Sequence, residues 1–505
     1  MRELPQFRDL RAFLGQLEAR GQLARVGERI STVHEMTEVH RRVLAEKGPA
    51  LVFERPIGQD NTQSPLEVAV NLFGTVERVA WGLGVERNQL RALGDDLAAL
   101  RQLKPVEGLR AAVRRWPILK AAFSTVPAKV ARPAVQQRVY RGGDVDLGML
   151  PIQTCWPGEP APLITWPLVI TRAPDDDNGR AYNVGVYRMQ VLGRDRAIVR
   201  WLYQRGGASH HRLWAAQGKD MPIAIAIGAD PATMLSAVLP LPEGVSELTF
   251  AGVLRGERPR LAHALTVPLT VPADAEIVIE GFVSAQETAL EGPFGDHTGY
   301  FNAAEVFPVL RVTAITMREI PIYVSTFTGR PPDEPSIIGE AFNELFVPVL
   351  RAQVPEIADC WFPPDACSYR TAVVSLRKRY PGQARRVMMA LWGMLPQFSY
   401  TKLVIVVDDD IDVRNWNDVS WALATRMDPS RDCMLVQHTP IDYLDFASPL
   451  DGLGGKLGID ATNKIGAETS REWGRKLTMD AQVRSRVDAL WPHLGLPGAG
   501  MRRAS

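Results

Sequence analysis

"AEIVIEGFVSA", residues 275–285, is the run whose reading decides the fold. Its isoleucines, valines and phenylalanine read as a β-strand. Four further runs share that texture: "PLVITRA" (167–173), "IVRWLY" (198–203), "PIAIAIGA" (222–229) and "VLRVTAITM" (309–317). Turn residues separate them. All lie between about residue 135 and about residue 325. Strands so many and so closely spaced do not suit a sheet that alternates with helices throughout, so a barrel-like β domain is expected there.

On the N-terminal side, "FRDLRAFLGQLEARGQLARV" (7–26) places Leu10, Phe13, Leu14 and Leu17 on one helical face, with Gly21 as a natural stop. Short apolar runs and a second helical segment follow, predicting a small α/β unit that ends near residue 105. Residues 109–134 are basic, with Arg110, Arg114, Arg115, Lys120, Lys129 and Arg132 beside Trp116, Leu119 and Phe123. Pro117 and Pro127 rule against one long helix. The segment reads first as a solvated linker with short helices. The sharper alternative is a patch that rests on a membrane surface or meets a greasy substrate.

After Gly329 the texture changes again. "GEAFNELFVPVLRAQ" (339–353) and "GQARRVMMALWGML" (382–395) read as helices, and "KLVIVVDDD" (402–410) as a buried strand with an acidic end. That is an α/β domain. From about Ser448 a glycine- and charge-rich stretch predicts a loop and a terminal helix.

Composition bounds the rest. The 505 residues exceed one ordinary core, so two or three domains are expected. Lys+Arg total 58 and Asp+Glu 57, which gives no electrostatic case for nucleic acid as a partner. The four cysteines, Cys155, Cys360, Cys367 and Cys433, have neither C-x-x-C nor zinc spacing, which argues against a disulfide scaffold. No segment approaches the roughly 20 apolar residues of a membrane span. The expected location is the cytoplasm, with peripheral contact at the inner face of the cell membrane as the alternative.

The chemistry concentrates in a few stretches. "EGPFGDHTGY" (291–300) carries Glu291 and Asp296 across Gly292, Pro293 and Gly295. If the loop folds back, both carboxyls face one pocket. Two close carboxyls resist ionising together, and the one that keeps its proton can donate it. The plain alternative is an acidic turn. "YNVGVYRMQ" (182–190) offers Asn183 as a neutral oxygen ligand and Arg188 as a fixed cation for a carboxylate. "RWLYQRGGASHH" (200–211) offers two arginines, a tryptophan and a Gly-Gly pair, which suit an anion with an aromatic ring. Alone, each of these two reads as an ordinary strand or strand-turn. His210 and His211, as neighbours on a strand, would point to opposite faces and share no ion.

Three more stretches carry acids or glycines. Glu247 in "EGVSELTFAGVLRG" (243–256) reads as a lone acid in an apolar strand. With Asn183 it could hold a hard cation such as Mg²⁺, Mn²⁺ or K⁺. "VVDDDID" (406–412) reads as a cap on the following helix in preference to a metal site. "GLGGKLG" (452–458) fails both nucleotide-loop patterns, because Leu457 occupies the decisive position, and so reads as a structural turn or an inter-subunit loop.

Taken together, these stretches resemble the UbiD family of prenylated-flavin-dependent decarboxylases, in particular its branch that acts on 4-hydroxy-3-polyprenylbenzoate. The resemblance covers almost the whole chain. It also takes in "TCWPGEPAPLITWPL" (154–168), "IGADPAT" (227–233), "TGRPPDEPSIIGEAFNE" (328–344), "TPIDYLDFASP" (439–449) and "LGIDATNK" (457–464). It implies an α/β multidomain fold: an N-terminal α/β unit and linker over 1–125, a split β-barrel that binds prenylated FMN over 126–325, and a C-terminal α/β oligomerisation domain over 326–505.

The resemblance also implies roles. Asp296 is the proton donor, with Glu291 and Arg188 in the same network. Val186, Tyr187, Arg188, Arg200, Trp201, Leu202, Arg205 and Gly206 contact the cofactor. Asn183 and Glu247 hold a divalent metal, Mn²⁺ or Mg²⁺, with K⁺ as a further candidate. Gln204 stands where several members have a histidine ligand, which leaves the metal's identity open. The implied reaction is non-oxidative decarboxylation of 4-hydroxy-3-polyprenylbenzoate to 2-polyprenylphenol in ubiquinone biosynthesis. The alternative is a reversible (de)carboxylase of another aromatic or α,β-unsaturated acid. Implied partners are a homo-oligomer (dimer or hexamer) and a flavin prenyltransferase that supplies the cofactor. Two rival classes are a metal-dependent hydrolase built on Asp296 and His297, and a non-catalytic assembly protein on the same fold.

Overall fold

A computed structural model describes residues 6–101, 126–176, 182–203, 205–239, 246–394 and 396–494. The chain divides into two compact units, Met1–Val349 and Leu350–Ser505. Most of the basic segment, including Arg110 to Phe123, lies outside the described residues, as does Gln204.

The N-terminal helix forms as expected. It spans Leu10–Ala19, buries Leu10, Phe13, Leu14 and Leu17, and starts where the Asp9 carboxylate accepts the Ala12 amide. Gly21, at φ +66°, turns the chain back into the strand Leu23–Ser31. A four-stranded sheet follows, ordered Leu23–Ser31, Ala50–Ile57, Glu67–Val70 and Ile322–Val324. Its last strand arrives from the far end of the β region. One continuous core therefore runs from Phe7 to Leu345.

The β region is a nine-stranded sheet that curls into a split barrel. Its main path runs Leu163–Ile164, Met189–Val191, Arg196–Val199, Glu305–Met317, Ile277–Glu291, Met221–Ile227, Leu168–Thr171 and Asn183–Val186, and Arg138–Arg141 pairs off Glu305–Met317. The opening run lies in the longest hairpin, Ile277–Glu291 against Glu305–Met317, registered from Ile277↔Met317 to Glu291↔Glu305. The register shifts at Gly281, where a Cβ would come within 2.2 Å of the Arg311 carbonyl oxygen. Only glycine allows the two backbones that close. The hairpin's far end presents the acidic loop.

Two expectations about this unit fail. His210 and His211 sit on a helix, Gly206–Ala216, not on a strand. The Gly-Gly pair opens that helix instead of turning a strand. The histidines pin it to the sheet: His210 Nδ1 lies 3.0 Å from Thr171 Oγ1, and His211 Nε2 lies 2.8 Å from the Ser284 carbonyl. Glu247 likewise begins a helix, Glu247–Arg255, bounded by Ser246 and by Gly256 in the left-handed conformation. Its apolar residues Leu248, Ala251, Gly252 and Leu254 are buried, so nine mostly apolar residues mimicked a strand.

The second unit is a five-stranded sheet ordered Ile357–Trp361, Thr371–Leu376, Leu403–Asp408, Leu453–Ala461 and Cys433–Pro440. Its three central strands are parallel, and Val404 to Val407 are buried on both faces. The helices read over 382–395 and at the C-terminus form as Gln383–Met394 and Ala481–Leu490. "GLGGKLG" is not a loop: it lies mostly in the strand Leu453–Ala461. Gly458 lets Met388 pack where a Cβ would sit, 2.5 Å from its sulfur. The "VVDDDID" acids do not cap the next helix, because Asn415 does. Asp408 and Asp410 instead bind Arg426, at the far end of that helix. All four cysteines are free. Among the described residues no helix is long and apolar enough to cross a membrane.

Candidate active site

The acidic loop is short because its ends are tied. Asn302 Oδ1 accepts the Phe294 amide at 2.9 Å, and the Asn302 amide donates to the Phe294 carbonyl at 3.0 Å. Gln190 accepts the Gly292 amide at 2.9 Å, fixing the loop to the strand beside Arg188. Gly292 and Gly299 take φ of +83° and +81°, which lets ten residues fold back tightly. Both carboxyls then reach one cation.

That cation is Arg188, 14% exposed. Its Nε donates to Glu291 Oε1 at 2.9 Å and its Nη1 to Asp296 Oδ2 at 2.9 Å. Its Nη2 reaches Asn302 Oδ1 at 2.7 Å, and the guanidinium carbon lies 5.5 Å from the centre of the Phe294 ring. Glu291 is fully buried. A buried carboxylate without such a partner would be costly, so the pair and the arginine stand or fall together.

A second guanidinium joins them, one that the resemblance assigned to the cofactor and not to the acids. Arg200 lies 3.5 Å from Glu291 and 3.6 Å from Asp296, and donates to Glu305 at 3.3 Å. Its side chain therefore faces the acids. The clue was the hairpin register, which sets Glu305 opposite Glu291. Reading the sequence missed Asn302.

The charge state differs from the simple expectation of a protonated acid. Burial pushes the Asp296 carboxyl up, but it accepts hydrogen bonds from the His297 ring and amide and faces the charges of Arg188 and His297. These outweigh burial and hold it well below the usual carboxylate range. Asp296 is thus ionised in this arrangement. Part-buried Glu159 behaves oppositely: burial raises it, opposed by three amide hydrogen bonds and by Arg188.

Beside the network lies a cradle. Glu247 Oε2 accepts the Val184 amide at 2.8 Å, which brings this carboxyl next to Asn183. Burial pushes Glu247 up to about 7, against the hydrogen bonds from the Val184 amide and its own. A Cβ on Gly206 would lie 2.1 Å from Asn183 Oδ1, so the amide oxygen occupies space only glycine leaves open. Arg205 precedes the N-terminus of the helix Gly206–Ala216, an end that favours phosphate. Tyr187 lies edge-on to Trp201, with centroids 6.0 Å apart, and its hydroxyl accepts the Gly207 amide at 3.4 Å. Val186 ends the strand Asn183–Val186, and Leu202 lies in the turn before the helix.

These residues fit a phosphate-bearing ring cofactor and a hard cation. Asn183 and Glu247 supply oxygen donors, and phosphate oxygens would complete the set. Among the described residues no group of three or more His, Cys, Asp or Glu could hold a metal alone.

The chain as a whole is similar to known proteins. The family descriptions of the UbiD (3-octaprenyl-4-hydroxybenzoate carboxy-lyase) N-terminal, Rift-related and C-terminal domains match residues 14–97, 128–331 and 336–461. The vanillic acid decarboxylase of Sedimentibacter hydroxybenzoicus in closed form is 27% identical with a TM-score of 0.83, covering 97% of this chain and 99% of that one. HmfF of Pelotomaculum thermopropionicum, solved in complex with FMN, is 29% identical with a TM-score of 0.75, covering 94% and 98%. The 3,4-dihydroxybenzoic acid decarboxylase of Enterobacter cloacae shares the fold at 21% identity, with a TM-score of 0.76 and coverage of 95% and 99%.

Proposed function

Because this chain belongs to the UbiD family, whose domains match it nearly end to end, we propose that it removes the carboxylate of an aromatic acid as carbon dioxide with prenylated FMN. The observation that carries this reading is Arg188 joined to Glu291, Asp296 and Asn302 beside the phosphate cradle.

Prenylated FMN, when bound, supplies the electron sink that no ordinary side chain offers. Asn183 and Glu247 would hold a divalent metal, and Arg205 and the helix N-terminus at Gly206 would add positive potential for a phosphate. Tyr187 and Trp201 wall the ring side. Arg188 orients the substrate carboxylate while it stays paired with Glu291.

The reaction, RCOO⁻ + H⁺ → RH + CO₂, consumes one proton per turnover. Asp296 delivers it to the carbon that lost carbon dioxide. Since Asp296 is ionised before substrate arrives, it must be loaded. A substrate carboxylate beside Arg188 adds negative charge and competes for the guanidinium. Both effects raise the proton affinity of Asp296. Substrate binding and proton loading are thereby linked.

The first candidate substrate is 4-hydroxy-3-polyprenylbenzoate, yielding 2-polyprenylphenol for ubiquinone. The motif resemblance along the chain supports it. The second reading, reversible (de)carboxylation of another aromatic or α,β-unsaturated acid, is supported by the likeness to vanillic acid decarboxylase. Anaerobic reconstitution with prenylated FMN and Mn²⁺, then a panel of acids followed by carbon dioxide release, tests both. Turnover of the polyprenylated acid alone supports the first, and turnover only of small acids supports the second. Activity with a metal and no flavin would favour a hydrolase instead.

A further inference from the structure

The acidic loop has a second anchor, on the side away from Asn302. Three contacts converge on Gly295, the residue before Asp296, and a fourth ties two of its partners together. Its amide donates to Glu159 Oε1 at 3.2 Å. Its carbonyl accepts from Thr328 Oγ1 at 3.1 Å. The Trp156 ring fills the place a Cβ would take, 2.2 Å from Cδ1. Trp156 Nε1 in turn donates to the Thr328 carbonyl at 2.9 Å.

Glu159 is tied as well. Its Oε2 accepts the Cys155 amide at 2.7 Å and the Trp156 amide at 3.1 Å. One carboxylate thus joins the Trp156 backbone to Gly295. Thr328 closes the ring from the other side. Both polar groups of the Gly295 backbone are held by side chains, and neither by the loop's own ladder.

We propose that Glu159, Trp156 and Thr328 clamp Gly295 and so set where the Asp296 carboxyl stands, with Glu159 and Thr328 as positioning residues for proton delivery. The role rests on the decarboxylase reading, but the clamp itself does not. The network on Arg188 fixes the carboxyl end of Asp296, its own amide donates to the Tyr300 carbonyl at 3.0 Å, and the clamp fixes the residue before it. A proton donor needs both, because a displacement of about 1 Å can cost about a hundredfold in rate.

Thr328→Val removes one hydroxyl at constant shape, and Thr328→Ser keeps it. Glu159→Gln replaces one acceptor oxygen with a donor. Amide hydrogen exchange over residues 291–302 is measured on the unloaded full-length chains. kcat, KM and flavin absorbance are measured on the loaded enzymes. Thr328→Val and Glu159→Gln are expected to speed exchange at Gly295 and Asp296 several-fold. Each should lower kcat about tenfold or more, with KM and flavin absorbance unchanged. Thr328→Ser should restore both exchange and kcat. Unchanged exchange in Thr328→Val and Glu159→Gln would overturn the clamp. Faster exchange with wild-type kcat, or equal losses in Thr328→Val and Thr328→Ser, would overturn the positioning role. If the loaded wild type decarboxylates no acid, the functional reading falls while the exchange result still decides the clamp.

Discussion

Two stretches of this chain look alike on paper: "EGPFGDHTGY" and "VVDDDID", each a short run dense in acids. In space they differ. At the second, Asp408 and Asp410 share Arg426, Asp410 also takes Lys476, and Asp408 accepts the Asn463 amide at 2.7 Å. The acids sit at a strand end and fasten it to a helix and a loop. At the first, Glu291, Asp296 and Glu305 share Arg188 and Arg200 on a glycine-rich loop beside an anion cradle. Acids anchored to rigid elements and closed by one arginine, a lysine and a backbone amide hold a fold together. Acids on a shaped loop that share cations can exchange one partner for a substrate carboxylate.

Substitutions should separate the two networks. The largest effect is expected at Arg188. Arg188→Gln strands a fully buried carboxyl group and removes the proposed substrate anchor, so kcat/KM should fall at least ~10³-fold. Steady-state carbon dioxide release checks this. Glu247→Gln should come next, weakening metal and flavin retention about 10- to 100-fold, read by flavin absorbance after gel filtration.

The pH dependence of the cradle carries a definite sign. Glu247 is raised from 4.5 to about 7 when folded, so its burial penalises the ionised form. The unloaded protein should therefore lose stability as pH rises from about 4.5 to about 7. On the proposed reading a metal binds the ionised carboxyl, so retention should weaken progressively as pH drops below about 7. Melting curves with and without Mn²⁺ across this window test both halves.

The smallest effect belongs to the second network. Asp410 is held down to about 2 by Arg426 and Lys476, against burial. Its stabilisation is present above the ordinary aspartate range and fades as pH falls toward about 2. Asp410→Asn should cost only about 1 kcal/mol, since the group is partly solvated, and should leave carbon dioxide release unchanged. A melting curve and one activity assay suffice. A large loss of activity there would erase the contrast between the regions.

Much of this was legible in the sequence, for reasons that can be traced. Leu10, Phe13, Leu14 and Leu17 showed the helical period because one face of that helix is buried. The long hairpin showed because its strand residues are β-rich and glycine punctuates its end. Arg188, Glu291 and Asp296 were found by chemistry and by resemblance. Glu247 was misplaced on a strand, since a buried nine-residue helix and a buried strand share composition; Ser246 and Gly256 at its ends were the overlooked signal. Asn302, Arg200 and Glu159 join the site through register and loop closure, which no local pattern displays.

The most direct test of the central claim is Asp296→Asn, loaded with prenylated FMN and Mn²⁺ under anaerobic conditions. Carbon dioxide release from the acid that wild type turns over best is followed beside flavin content. Full flavin absorbance with turnover abolished is the result expected of a residue that carries the proton. Wild-type carbon dioxide release from the loaded variant would contradict that role.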